Sequence, residues 1–86
     1  MNDVLREIAE ELDRLAASGE YRGAQKVWAG PKQIKQAKKM LARARTLTES
    51  DVGALARVVS DWASSESRIL QLVTELYRQS AAPRHS

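Results

Sequence analysis

His85 is the only imidazole in this chain of 86 residues, and there is no cysteine. Nucleophilic triads and thiolate or imidazole metal sites need several such side chains held together by the fold. His85 sits in SAAPRHS, a stretch with no periodicity that would hold or orient it. Glu10 and Glu11 are paired carboxylates, but neighbours on a helix point about 100° apart and their spacing is ordinary. The side-chain inventory therefore predicts a protein that is not an enzyme and has neither metal nor cofactor.

Charge is better supplied. WAGPKQIKQAKKMLARAR, residues 28–45, carries six Lys and Arg and no acid. The asymmetry extends further: residues 1–20 balance at −4, residues 21–48 at +8 and residues 49–86 at −1, within a net charge of +3. Such a distribution speaks to partners and solubility, not to fold. At about 100° per residue, Lys32, Lys35, Lys39 and Arg43 share one face of a helix, while Ile34, Ala37, Leu41 and Ala44 share the opposite one. Lys38 and Arg45 edge the apolar face, where long stems can lie over core atoms with the charge in water. Tyr21, next to Arg22 and near Lys26, is an aromatic among cations that can stack on a base or anchor a protein interface. Gly30-Pro31-Lys32 raises a smaller anion site at a helix start, without the GxxxxGK[ST] spacing that cradles a nucleotide.

The elements that must position these residues are helices. Val4, Leu5, Ile8, Leu12 and Leu15 make one stripe over about Asp3 to Ser18, capped by Asn2 or Asp3 and ended by Gly19. GEYRGAQKVWAG, residues 19–30, is broken by glycines but predicts a short helix with Tyr21, Ala24, Val27 and Trp28 inward. Trp28 and Trp62 are both expected in the core, which has no Phe. Pro31 opens the basic helix, which runs to about Thr46.

In LTESDV, Thr48 caps, Asp51 answers it three residues on, and Leu47 faces Val52 as a staple. Beyond it Val52, Leu55, Val59, Trp62, Glu66, Ile69, Val73 and Leu76 follow in heptad steps, with Glu66 alone breaking the apolar series. Because the phase survives SSES, residues 64–67, one continuous helix from 49 to about 79 is favoured over two helices with Ser64 or Ser65 capping the second. Glu66 either lies wet where the seam opens or pairs with a cation across an interface.

These elements predict an all-α fold, a small three- to four-helix bundle with a long C-terminal helix. Residues 1–80 form a single helical domain and 81–86 a disordered tail. A helix longer than its neighbours leaves seam residues uncovered, so Glu66, Ile69, Val73 and Leu76 are candidates for self-association as a homodimer or for partner packing. No apolar run reaches the ~18–20 residues that cross a bilayer. The acidic amphipathic start, MNDVLREIAEELDRL, is unlike a signal peptide. A cytoplasmic location without membrane contact is the expectation.

In size and all-helical character the chain resembles the small inhibitors that phages and plasmids make against host defence, of which anti-CRISPR proteins are the best-known group. The resemblance is one of type, spans the whole chain loosely and transfers no residue. It implies a module that occupies a surface of an acidic or nucleic-acid-handling protein. On that view Lys32, Lys35, Lys39 and Arg43 dock electrostatically, with Arg22, Lys26 and Tyr21 at one end. The alternative is nucleic acid itself, with the Lys/Arg stripe on phosphates.

Overall fold

The computed structural model describes residues 3–19, 23–24, 26–46 and 48–81. Four α-helices account for most of them: α1, Asp3–Ser18; α2, Pro31–Arg43; α3, Glu49–Trp62; and α4, Arg68–Ala81. A 3-10 turn, Ala44–Thr46, follows α2. The fold is all-α, and the only β-type pairing among the described residues is an isolated bridge between Val27 and Ala63.

Each helix forms where the sequence repeats apolar residues at helical spacing, and each turns that stripe to a common core. Ile8, Leu12 and Leu15 come from α1, Ile34, Ala37 and Leu41 from α2, Val52, Leu55, Val59 and Trp62 from α3, and Ile69, Val73 and Leu76 from α4. Val4 and Leu5 pack at the edge of this cluster. Burial of each large aliphatic side chain is worth about 1.5–3 kcal/mol against its exposure. The helices contact one another in a ring, α1 on α2, α2 on α3, α3 on α4 and α4 on α1. Gly19 ends α1 in the left-handed region, with φ of 57°. Thr48 caps α3: its Oγ1 accepts the Asp51 N–H at 3.4 Å and donates to Asp51 Oδ2 at 2.8 Å. Leu47 and Asn2 lie outside the described residues.

The expected continuous C-terminal helix is two helices of similar length. Ala63 is extended, with φ −126° and ψ 136°, and the next residues form a turn held by two serines. The Ser64 carbonyl accepts from the Ser67 N–H at 2.9 Å and the Ser67 hydroxyl at 2.6 Å, while Ser64 Oγ accepts the Glu66 N–H at 3.1 Å. Ser67, not Ser64 or Ser65, then caps α4 by accepting the Leu70 N–H at 3.3 Å. Ser67 is itself buried.

The heptad phase continues across SSES because both halves of the stripe serve one core, with the chain reversing between them. Ile69, Val73 and Leu76 are fully buried by this chain's own helices, so no longer helix leaves them open for self-association. Glu66 stands exposed in the turn, as the open-seam reading has it. Ala81 is the last residue of α4, so the stretch expected to be a tail from residue 81 begins inside a helix; residues 82–86, with His85, lie outside the described residues.

A second correction concerns residues 19–30. Among its described residues, Gly23 and Ala24 lie in a 3-10 turn, while residues 20–22 and 25 lie outside the described residues. In place of the expected helix at Val27 and Trp28 there is a non-helical stretch from Val27 to Gly30, bridged to Ala63 at Val27 and extended at Gly30. Lys26 enters it in the left-handed region, with φ of 64°. The segment is tied to the corner between α3 and α4: the Trp28 N–H donates to the Trp62 carbonyl at 2.7 Å, and the Ser64 N–H donates to the Lys26 carbonyl at 2.9 Å. Extended backbone sends successive side chains to opposite faces. Val27 and Ala29 are accordingly buried, while Trp28 is 64% exposed. Trp62 is a core residue as expected; Trp28 is not. Ala24, also expected inward, is exposed.

Candidate functional site

The basic helix keeps its predicted geometry. Ile34, Ala37 and Leu41 are buried, and Lys32, Lys35, Lys39 and Arg43 are exposed. The four cations cluster within about 80° of arc and span roughly 16 Å of helix at 1.5 Å per residue. Its first turn is fixed locally. The Gly30 carbonyl accepts the Ile34 N–H at 3.2 Å, and the Gln33 side chain reaches back to accept the Gly30 N–H at 3.0 Å.

The acids that could balance this face mostly face elsewhere. Glu7 of α1 meets Arg68 of α4 at 3.4 Å, and Glu11 lies 3.8 Å from Arg68 Nε. Glu11 also accepts two hydrogen bonds from Arg14, one of them from Nε at 3.0 Å. That doubly bonded carboxylate, 5% exposed, holds the Arg14 guanidinium above its ordinary pKa, chiefly through the hydrogen bond. Asp3 pairs with Arg6 on its own helix.

One ion pair joins α1 to α2 among the described residues, Lys38 to Asp13 at 2.6 Å. It lies at the edge of the apolar face, where Lys38 was placed from its spacing. Lys32, Lys35 and Lys39 make no ion pair with any described residue. Their charge is therefore open to water and to whatever approaches that face.

Two open depressions flank the Lys38–Asp13 pair. One is lined by Ala16, Pro31, Ile34, Lys35 and Lys38, the other by Ala9, Asp13, Lys38, Leu41, Ala42 and Arg45. Both exist because alanines stand where α1 and α2 approach. Neither holds a set of groups suited to catalysis. Among the described residues no three of His, Cys, Asp and Glu converge as a metal site, and no helix is long and apolar enough to cross a membrane.

Trp28 adds what the charge pattern lacked. It is the most exposed large apolar side chain among the described residues and stands two positions before Gly30, at the head of the basic helix. Of the residues expected at this end of the site, Lys26 is exposed, while Tyr21 and Arg22 lie outside the described residues. The signal that could have exposed Trp28 was the alternation Val27-Trp28-Ala29 ahead of Gly30-Pro31. It is only three residues long, too short to outweigh a helical spacing that also fitted.

No family model, curated protein or solved structure matches the chain. The site therefore has to be understood from its own residues.

Proposed function

We propose that this chain is a non-catalytic nucleic-acid-binding module that lays the basic face of α2 along phosphates. The four helices, each packed on two others, serve in this reading as a small bundle that holds that face outward. The observation that carries the proposal is that Lys32, Lys35 and Lys39 are exposed and without an ion pair to any described residue, while of the acids of α1 Glu7 and Glu11 pair with Arg14 and Arg68, Asp3 with Arg6, and Asp13 alone with a lysine of α2, Lys38. A protein's own nucleic-acid groove is cationic and repels such a stripe, and lysine is depleted in the core of protein interfaces. Phosphates are the anions that a row of lysines meets without a desolvated fit. The row is mostly Lys, with Gln33 and Gln36 but no compact Arg/Asn set for base edges, which suits affinity without sequence reading. A cytoplasmic location belongs to the same proposal, since a chain without cysteine is compatible with that reducing compartment.

Docking on an acidic surface of a nucleic-acid-handling protein, in the manner of the small phage- or plasmid-encoded inhibitors, is the second reading. Trp28 favours it to the extent that an exposed tryptophan is also the commonest kind of protein hot spot.

Fluorescence anisotropy against generic DNA and RNA, titrated with salt, separates the two. Neutralising about four phosphates gives a log–log salt slope near −3.6 on duplex, and about −2.8 on single strands. Absence of binding even at low salt removes the nucleic-acid reading and leaves the protein surface.

A further inference from the structure

We infer that Trp28 is a stacking platform for an unpaired base, so that the ligand is single-stranded nucleic acid with its phosphates on Lys32, Lys35 and Lys39; this rests on the nucleic-acid reading of α2. An indole left 64% exposed on a small protein gives up burial that the fold could have used, as Trp62 does. The ring is nonetheless carried on anchored backbone. Its own N–H is bonded to the Trp62 carbonyl at 2.7 Å, and both neighbours, Val27 and Ala29, are buried. A platform fixed in this way loses little further freedom when something stacks on it.

Its surroundings choose the ligand. Lys32 is four positions after Trp28, so their backbones stand no more than about 14 Å apart. A base on the indole therefore keeps its adjoining phosphates near the start of the lysine row. No acid occurs anywhere in residues 21–48 to repel them. Lys26, two positions before Trp28, is exposed as well. A duplex offers the same phosphates but keeps its base faces stacked inside, whereas each unpaired base presents a π-face that an aromatic side chain can cover. Charge and ring together fit the single strand.

The test uses three labelled ligands of equal length, about 12 nucleotides: oligothymidine, an abasic strand with the same phosphates, and a duplex. Each is titrated by anisotropy with the wild-type protein, Trp28→Ala, Trp28→Phe and the double variant Lys35→Glu/Lys39→Glu. Wild type is expected to bind oligothymidine about tenfold more tightly than the abasic strand, within the range that base stacking supports. Trp28→Ala should bind both strands equally with an unchanged salt slope, and Trp28→Phe should keep part of the preference. Oligothymidine should quench the exposed indole of the wild type and leave the emission of Trp28→Ala, which comes from buried Trp62, unchanged.

Equal binding of oligothymidine by wild type and Trp28→Ala, or equal binding of the two strands by wild type, overturns the stacking inference. Binding to all three ligands that the Lys35→Glu/Lys39→Glu change abolishes would then leave the phosphate reading standing alone. No binding of any ligand at low salt overturns both and points to a protein partner. Because Trp28 is exposed and bonds through its backbone, circular dichroism of the variants should match the wild type.

Discussion

The Trp28 N–H donates to the Trp62 carbonyl at 2.7 Å, yet one indole is 64% exposed and the other 8%. One backbone hydrogen bond thus joins the residue with the most solvent-exposed large apolar side chain among the described residues to a residue of the core. It also ties the head of the basic helix to the corner where α3 gives way to α4. The position of the proposed ligand site and the break in the C-terminal stripe are for that reason a single structural fact.

Under the proposed function the lysine row serves binding and contributes little to folding. Reversing Lys35 and Lys39 to Glu should weaken binding to an anionic partner by more than tenfold at low salt while shifting the melting temperature by only a few degrees, since exposed charges are worth about 0–1 kcal/mol each. A variant that melts normally and binds normally would remove α2 from the interface.

Lys26 occupies a backbone conformation that costs a non-glycine residue roughly 1 kcal/mol. Lys26→Gly should therefore hold or slightly raise stability in urea denaturation, and it should lower affinity for a polyanion through loss of the flanking charge. A clear loss of stability would show that the Lys26 side chain supports the fold.

Glu11 is buried, whereas the side chains of Arg14 and Arg68 are about half exposed. Removing the acid leaves two cations that water can solvate; removing both cations leaves a buried carboxylate alone. Glu11→Gln should cost about 1 kcal/mol, and the double change Arg14→Met/Arg68→Met more, about 2–3 kcal/mol. Equal costs in equilibrium unfolding would mean that the Glu11 pocket opens to water.

Ser67 closes the turn and caps α4 with the same hydroxyl. Ser67→Ala should cost about 1–2 kcal/mol. Exposed Ser65→Ala should stay within about 0.5 kcal/mol. Chemical denaturation of the pair measures the difference, and parity would show that the turn does not depend on the Ser67 hydroxyl.

Gly53 lies in the interior of α3, where a Cβ would come 3.3 Å from Tyr77 Cε1. Tyr77 is partly exposed, so its ring has room to give by a few tenths of an ångström. Gly53→Ala should then show most of the helix-propensity gain of about 1 kcal/mol as a higher melting temperature. A lower one would mean that Tyr77 is held in place.

The parts of this protein legible in the sequence are those governed by local periodicity. The span of α1, the opposed faces of α2 and the Thr48 cap all follow from residues within one or two turns of each other. The lysine row was legible for the same reason, since a helix that buries Ile34, Ala37 and Leu41 leaves Lys32, Lys35, Lys39 and Arg43 on the far side. The break at Ala63–Ser67 was not, because Trp62 and Ile69 keep heptad phase whether the chain runs straight or turns back. Neither was the exposure of Trp28, because Ala24, Val27 and Trp28 also fit a helix.

The sequence by itself determined the helical class, the apolar stripes and an acid-free cationic face, because each depends on side chains a few residues apart. Only the tertiary structure decided that the C-terminal stripe folds into two helices and that Trp28 faces water. Both depend on the pairing of Val27 with Ala63. That contact joins distant parts of the chain, and its backbone hydrogen bonds leave no mark in the pattern of side chains.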